Sequence, residues 1–311
     1  MKKTTAITSV VLILGLVLFF MVSQYSSAAN VVGGNYKNVT VLTKVHISNS
    51  KPEVLSLAVY QDTNSSTKNI TLSAGLTRVV TCNATVRDWD GYNDIVNVNA
   101  TLWDTLNSNS NAADDNNTHY TNANCTNAGN GVNYTVNYIC TFNVYYYANN
   151  GTWMCNATAM DTFNKTGYNT NTTVIYPLYA LNVTDGIDYG NVAVEDYSTT
   201  QTSNVTNFGN QAINISVEGY GTARGDGLAM NCTLGGNISI ANERFSADIA
   251  AVWGAKVPLT SGSTQIIPAL TIAKQTVPST PMVNSTYWQL YIPPNPGGNC
   301  TGYVIFQAEV P

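Results

Sequence analysis

The sequence predicts an all-β protein of two tandem β-sandwich domains behind an N-terminal hydrophobic segment. Short runs rich in Val, Ile, Thr and Tyr are separated by clusters of Asn, Gly, Asp and Ser, which is the pattern of many short strands. Helical periodicity is nearly absent after the N-terminal segment; only Ile240 to Trp253 has a weak repeat of about 3.6 residues. We predict a signal peptide over 1–29 and sandwiches over 30–173 and 174–311.

The composition describes a chain that can bury a core but carries little charge. Of 311 residues, 44% are hydrophobic and only 10% are charged, and the net charge is -5. Lys2-Lys3 is the only cluster of basic residues, so the electrostatic footprint of a nucleic-acid-binding protein is missing. Solubility must therefore come from Asn, Thr and Ser and from any groups attached to them.

The N-terminus has the three parts of a secretory signal. Lys2-Lys3 is followed by an apolar run from Val10 to Val22 and by the small residues Ser26 to Ala29. The run is short for a spanning helix of about 20 residues, which favours a cleaved signal over an uncleaved anchor. The protein is expected to be exported, and any membrane contact would be through this segment, since the last residues include no hydrophobic tail.

The predicted strands fall into two sets. Those of the first half are Val39 to Ile47, Val54 to Tyr60, Val79 to Val86, Ile95 to Leu102, Tyr134 to Val144 and Trp153 to Met160. Those of the second half begin near Val174 and include Val192 to Val194, Ile213 to Val217, Met230 to Leu234, Ile266 to Ile272, Trp288 to Ile292 and Tyr303 to Ala308.

Sequons give an independent check on the strand phase. The chain contains about nineteen Asn-X-Ser/Thr sequons, the acceptors of glycans on exported proteins. Side chains alternate between the two faces of a strand, so a glycosylated Asn places both its neighbours toward the core. Four sequons place a cysteine inward in this way. The predicted glycosylation sites are Asn83, Asn99, Asn156, Asn231 and Asn299.

The six cysteines of an exported chain predict three disulfides. Sequence alone allows many pairings, but proximity and pattern favour one. Cys82 and Cys155 both begin Cys-Asn-Ala-Thr in two strands, as an inter-sheet bridge would. Cys125 and Cys140 flank a Gly/Asn-rich turn and look like a hairpin staple, which leaves Cys232 to pair with Cys300.

Residues Asn149 to Ala157, Asn-Asn-Gly-Thr-Trp-Met-Cys-Asn-Ala, are similar to the Asp-X-Gly-X-Tyr-X-Cys-X-Ala motif before strand F of immunoglobulin (Ig) domains. Trp153 stands where that family has the tyrosine of the tyrosine corner, so the resemblance implies a packing role for it. The resemblance covers about Val39 to Val174. It implies an Ig-like domain rather than a true antibody-type domain, because neither Trp89 nor Trp103 matches the buried tryptophan of strand C. Trp89 comes too early, and Trp103 lies on the outward phase set by Asn99.

The second half resembles Ig-like modules in which an Asp-Phe-Gly start precedes a Val-X-Asn-X-Gly-Asn turn. Here Asp188-Tyr189-Gly190 and Val205 to Asn210 stand at those places, and Trp288 to Pro293 with Gly298 to Tyr303 resembles the last hairpin. Together with the signal and the sequons, the chain resembles uncharacterised secreted or cell-surface archaeal proteins with tandem Ig-like β-sandwich domains. That resemblance implies a fold and a location and no reaction.

Catalysis needs a constellation of titratable groups, and the sequence offers little for one. The two histidines, His46 and His119, lie outside any recognisable motif, and the motifs of serine hydrolases, zinc proteases and P-loop enzymes are missing. We predict that the protein is not an enzyme and needs no cofactor.

Two short stretches are candidate recognition sites. Arg224-Gly225-Asp226 is an adhesive tripeptide in animal systems. Because Gly221 and Gly227 lie on either side of it, the simpler interpretation is a loop between two strands. Tyr145-Tyr146-Tyr147 beside Trp153 could stack on a sugar, although a strand would divide alternate tyrosines between core and surface.

Asp88, Asp90 and Asp94 surround Gly91 in the manner of a calcium loop. An EF-hand loop needs a ligand at its fifth position, a glycine at its sixth and a glutamate at its twelfth. This sequence has Tyr92, Asn93 and Asn99 at those positions. The stretch is therefore interpreted as the turn between strands B and C, no metal site is predicted, and calcium binding by the three aspartates stays open.

The sequence thus predicts a secreted or cell-surface glycoprotein with a structural or adhesive role and with a surface protein or a glycan as its partner. Two alternatives stay open: a carbohydrate-binding or carbohydrate-acting extracellular protein, and a subunit of a surface filament or layer. The oligomeric state is not determined by the sequence.

Overall fold

The computed structural model describes residues 40–62, 67–129, 131–184 and 186–311. The signal or anchor predicted over 1–29 lies outside them. Contacts divide the chain into Met1–Ser48 and Asn49–Pro311. In the first unit, residues 40–48 are exposed and belong to no helix or strand, so the strand predicted from Val39 to Ile47 is wrong over its described part. Its alternating pattern meets no partner strand among the described residues.

From Asn49 onward the described residues contain nineteen strands and three single-turn 3-10 helices, which confirms the all-β fold class. The strands of the first half are β1 (Glu53–Gln61), β2 (Thr77–Arg87), β3 (Ile95–Asp104), β4 (His119–Asn122), β5 (Thr126–Asn127), β6 (Thr135–Tyr145), β7 (Gly151–Asp161) and β8 (Thr166–Ile175). Those of the second half are β9 (Leu181–Val183), β10 (Gln201–Asn207), β11 (Ile213–Tyr220), β12 (Leu228–Cys232), β13 (Ile238–Ser239), β14 (Glu243–Ser246), β15 (Val257–Pro258), β16 (Gln265–Ile272), β17 (Val283–Leu290), β18 (Cys300–Thr301) and β19 (Tyr303–Glu309). The 3-10 turns are Tyr92–Asp94, Ile240–Asn242 and Trp253–Ala255.

The first half is a sandwich of two antiparallel four-stranded sheets. One has the order β1-β2-β6-β5 and the other β4-β3-β7-β8. With β2 as strand B and β7 as strand F, these are the A-B-E-D and C′-C-F-G orders of an Ig-like sandwich. The strand phase follows the alternation of the sequence: Cys82, Ala84 and Val86 of β2 are all buried.

The Cys82–Cys155 disulfide joins β2 to β7 through the middle of this core, as strands B and F are joined in Ig domains. Trp153, two residues earlier on β7, is fully buried. Its indole N–H donates a 2.8 Å hydrogen bond to the backbone oxygen of Asn149, four residues upstream. Trp153 therefore makes both the packing contact and the backward hydrogen bond of a tyrosine corner.

The other two disulfides join Cys125 to Cys140 and Cys232 to Cys300. All three bridges are the pairs that the sequence pattern favours. Trp103 differs from the prediction: it lies on the outward phase of β3 but is only 9% exposed. The strand phase fixes the direction of a side chain, but it does not fix what covers the sheet.

The second half buries a separate apolar cluster that includes Val205, Phe245 and Trp288. A five-stranded sheet with the order β15-β14-β17-β10-β9 contributes to this cluster, together with the three-stranded sheets β16-β11-β19 and β13-β12-β18. Residues 49–311 form one compact unit, so the predicted domain division after residue 173 stays a prediction.

Side-chain amides and aromatic rings fasten the two sandwiches together. Asn210 Oδ1 accepts the N–H of Leu178 at 2.6 Å, and its Nδ2 donates to the oxygen of Tyr176 at 3.1 Å, which fixes the segment between β8 and β9. Phe208 packs edge-on against Tyr146 with ring centroids 5.6 Å apart. The segment from Val205 to Asn210, which resembles a turn of Ig-like modules in sequence, thus holds the connection between the two halves.

Candidate functional site

The candidate site is the acidic loop, Asp88–Asp94, which connects β2 to β3 at one end of the first sandwich. The N–H of Asp90 donates to Asp88 Oδ1 at 2.9 Å, and the N–H of Gly91 donates to the oxygen of Asp88 at 3.1 Å. Gly91 has φ 113°, in the region that glycine adopts readily. The loop is therefore a tight turn, as the sequence predicted. Its three carboxylates, however, lie close together.

Two other parts of the chain close over the acidic loop. The N–H of Thr162, directly after β7, donates to the backbone oxygen of Asp94 at 3.0 Å. From the N-terminal side, the N–H of Ser50 donates to Asp90 Oδ2 at 2.5 Å. The B–C connection, the F–G connection and the segment before β1 therefore meet at one end of the sandwich.

Oxygens of Asp88, Asp90 and Asp94, one from each, lie within 4.8 Å of one another. Asp88 is completely buried, and its Oδ2 has no hydrogen-bond partner among the described residues. Asp94 Oδ2 and Asn49 Oδ1 are likewise buried atoms without a partner in that part of the chain. Three orphaned oxygen acceptors around one loop are unusual, because buried polar atoms are nearly always paired.

A fourth carboxylate, that of Asp161 at the end of β7, adds to the negative charge and was not identified from sequence. Asn49 Nδ2 donates to Asp161 Oδ2 at 3.0 Å, and the backbone N–H groups of Phe163 and Lys165 donate to its Oδ1. Burial acts to raise the pKa of Asp161, but these hydrogen bonds outweigh it and hold the pKa below the ordinary value. Asp161 therefore remains ionised beside the loop.

The pKa of Asp88 is raised, first by burial and then by the negative charges of Asp94, Asp90 and Asp161. The hydrogen bond from the Asp90 N–H offsets only part of this effect. The nearest arginine in sequence, Arg87, is engaged elsewhere: it forms an ion pair with Glu53 at 2.6 Å and lies over the ring of Trp89. The arrangement is a pocket of oxygen donors that could hold a hard cation.

The Arg224-Gly225-Asp226 tripeptide is committed to its own turn. Asp226 accepts backbone N–H groups from Ala223, Thr222, Leu228 and Gly221, which lower its pKa to about 2. Arg224 forms an ion pair with the buried Glu218. Both charged groups of the tripeptide therefore have partners within the fold.

The tyrosine run does not form a sugar-stacking platform, so that reading of Tyr145-Tyr146-Tyr147 is wrong. Tyr146 and Tyr147 are 7% and 1% exposed, and the Tyr146 hydroxyl bonds Gln275 of the second half. Two consecutive residues are buried because the run leaves the end of β6 and enters the contact between the sandwiches, where the alternation of a strand no longer applies.

The two histidines lie in unrelated surroundings. His119 is 1% exposed, and its Nδ1 is 2.8 Å from Asp114 Oδ1. His46 is exposed in the segment before β1. The structure does not bring His119 together with the acidic loop, which lies at the other end of β3.

A cavity of about 430 Å³ in the second half contains a buried acid. Glu243 is 3% exposed and accepts a 2.8 Å hydrogen bond from the hydroxyl of Tyr189. Burial raises the pKa of Glu243 to about 7, and the hydrogen bond from Tyr189 offsets only part of this effect. Apolar side chains such as Leu181 and Phe306 line the remaining wall.

An aromatic cluster of Tyr197, Trp253 and Tyr291 lies at the surface of the second half. Tyr197 is 47% exposed, and its ring centroid is 4.9 Å from those of both partners. The guanidinium of Arg244 stacks 4.7 Å over Trp253. Sequence reasoning missed this cluster because its members come from three distant segments.

The five predicted glycosylation sites differ in accessibility. Asn99, Asn231 and Asn299 are exposed. Asn83 and Asn156 are half-buried, and the Oδ1 atom of each is covered. The cysteines next to Asn83, Asn156, Asn231 and Asn299 are buried or half-buried, which agrees with the outward phase assigned to these four asparagines. Glycosylation of the five sites stays a prediction.

No protein-family model and no curated protein matches this sequence. Among solved structures, the chain is similar to the CsuC–CsuE chaperone-tip adhesion subunit complex of Acinetobacter baumannii, with 10% identity and a TM-score of 0.39 over 78% of this chain and 97% of that one. It is also similar to the C-terminal domain of the antigen I/II-family protein AspA of Streptococcus pyogenes, with 10% identity and a TM-score of 0.25 over 83% and 95% of the two chains.

The C-terminal domain of the antigen I/II polypeptide BspA of Streptococcus agalactiae gives 10% identity and a TM-score of 0.22 over 82% of this chain and 100% of that one. Likeness at this level adds nothing to what the strand order already shows. Within the described residues, no helix is long and apolar enough to cross a membrane.

Proposed function

We propose that this chain is a secreted or cell-surface glycoprotein with a structural or adhesive role and without catalytic activity. The observation that carries the proposal is the use of all six cysteines in three disulfides, two of them within the first sandwich and one in the second. Disulfides persist in oxidising compartments, and an exported chain with few charges gains stability from them.

Binding would use a surface of the second sandwich. The aromatic cluster of Tyr197, Trp253 and Tyr291 supports this assignment, because clustered aromatic side chains with an arginine are typical of interface centres. Ile249 and Val252, which precede Trp253 in the same connection, are apolar side chains that are 67% and 72% exposed. The partner is then a protein or a glycan of another surface.

Protease treatment of intact cells tests the location. Peptides from residues 49–311 should be released without lysis, and their recovery only from lysed cells would refute a surface location. Cells that lack the protein should attach less to each other or to a substratum, and Trp253→Ala should reproduce that loss. Tyr168→Ala, which alters an exposed aromatic residue on β8 of the first sandwich, is the matched control.

The same aromatic cluster favours one second candidate, carbohydrate binding, because aromatic faces stack on sugar rings. A glycan array probed with the purified chain and with its Trp253→Ala variant separates the two. Specific glycan signals that disappear in the variant favour carbohydrate binding; an array without signals favours a protein partner. Loss of filaments from cells lacking the protein, seen by negative stain, would instead favour the filament-subunit alternative.

A further inference from the structure

We propose that the acidic loop binds a calcium ion, with Asp88, Asp90 and Asp94 as its protein ligands. The proposal does not rest on the adhesive role, and it replaces the interpretation of this stretch as a turn alone.

The separation of the carboxylates fits a single ion. Calcium binds oxygen ligands at about 2.3–2.6 Å, so two ligands on opposite sides of one ion lie about 4.8 Å apart. Oxygens of Asp88, Asp90 and Asp94, one from each, already lie within 4.8 Å of one another. No backbone rearrangement is needed to bring these three ligands around one centre.

The burial of Asp88 is an independent observation that points to a ligand. The turn uses only Oδ1 of this residue, as the acceptor for the Asp90 N–H. Oδ2 is buried and without a hydrogen-bond partner in the described part of the chain, on a side chain that is 0% exposed. A fully buried carboxylate oxygen without a partner is costly, and a coordinated cation removes that cost. Asp94 Oδ2 is also a buried atom without a hydrogen-bond partner among the described residues.

The charges around the loop are unbalanced without an ion. Asp161 faces the same region from β7, which makes four carboxylates with the three of the loop. The positive charge of Lys165 attracts the carboxylate of Asp161, and that of Arg87 is already paired with Glu53. A divalent cation would neutralise half of the four negative charges at once.

The donor set selects the class of metal. The three grouped side chains offer only carboxylate oxygens, whereas zinc sites are built with cysteine and histidine. Asp90 is exposed, so water can complete the six to eight ligands that calcium takes. Sites in extracellular modules bind calcium with a Kd of about 0.1–1 mM, which matches a loop with three carboxylates and an open side.

An ion here would fasten the outer end of the first sandwich. The acidic loop, the turn after Asp161 and the segment at Asn49–Ser50 already contact one another through hydrogen bonds. Strand β7 is eleven residues long, which places this end about 30 Å from the contact of Tyr146 with the second sandwich. Calcium is therefore expected to stabilise the first sandwich without affecting the second.

Thermal unfolding of the full chain with 5 mM CaCl2 and with EGTA tests the proposal. With the expected Kd, calcium should raise the Tm of the first sandwich by about 3–8 °C. Isothermal titration should give about one site, and 5 mM MgCl2 should give a smaller shift, because magnesium dehydrates reluctantly.

Asp88→Asn and Asp94→Asn should abolish the calcium shift while raising the Tm in EGTA, since each removes a repelled charge. Asp90→Asn, at an exposed position, should weaken calcium binding at least tenfold and keeps the test valid if the buried variants do not fold. Asp188→Asn, at an exposed aspartate of the second sandwich, should keep the full shift. An unchanged Tm of the wild type at 5 mM calcium, or a shift in Asp90→Asn as large as that of the wild type, would overturn the proposal.

Discussion

Glu243 should make the second sandwich less stable as the pH rises through neutrality. Burial raises its pKa to about 7 in the folded chain, from an ordinary value of 4.5. Below about pH 4.5 the carboxyl is protonated in both states, so it does not bias folding. Between the two pKa values the unfolded chain releases the proton and the folded chain retains it, so the free energy of unfolding falls as the pH rises. Above about pH 7 the loss is complete.

The expected loss is worked from that shift. One pKa unit corresponds to about 1.4 kcal/mol, so the free energy of unfolding should fall by about 2–3 kcal/mol between pH 5 and pH 8 on account of Glu243 alone. Glu243→Gln has no charge to bury and can still accept the hydrogen bond of Tyr189. The variant should therefore lack this part of the pH dependence.

Guanidinium denaturation at pH 5, 6, 7 and 8, followed by tryptophan fluorescence, measures the effect. Trp288 is fully buried in the same apolar cluster as Phe245, beside Glu243, and reports on this sandwich. The difference between the wild-type chain and Glu243→Gln isolates one carboxyl from all others. Glu195→Gln, at an exposed glutamate, should follow the wild type. Parallel curves for the wild type and Glu243→Gln would refute the reasoning.

Three further outcomes follow from the fold. Replacing Cys82 and Cys155 together by alanine removes a bridge with a sequence separation of 73 and should lower the free energy of unfolding by about 4 kcal/mol in guanidinium titrations. Gly209→Ala places a Cβ 2.1 Å from the backbone oxygen of the segment between the sandwiches and should cost about 3 kcal/mol; Gly254→Ala meets nothing within 4 Å and should cost less than about 1 kcal/mol. Mass spectrometry of intact glycopeptides should find Asn156 less occupied than the exposed sequons, because its Oδ1 is covered.

Much of the first sandwich could be predicted from sequence because its information is local. Alternation along β2 and β7 places every second side chain inward, and the repeated Cys-Asn-Ala-Thr marks the two strands that a bridge joins. The strand predicted before Asn49 failed for the same reason: alternation shows which side chains share a face, but it does not supply a neighbouring strand.

The candidate site could be predicted only in part. Asp88, Asp90 and Asp94 are close in sequence, so the question of a metal could be asked. The roles of Asp161 and Asn49, separated by 112 residues, depend on the meeting of two chain segments at one end of the sandwich.

By itself, the sequence determined the all-β class, the inward face of the cysteine-bearing strands and the turn at the acidic loop, because strand period and turn chemistry act between residues that are neighbours along the chain. Only the tertiary structure decided that Asp88 is buried, that Tyr146 lies between the sandwiches and that Glu243 is enclosed. Burial is a property of what packs on a side chain, and in a sandwich those atoms come from strands many residues away.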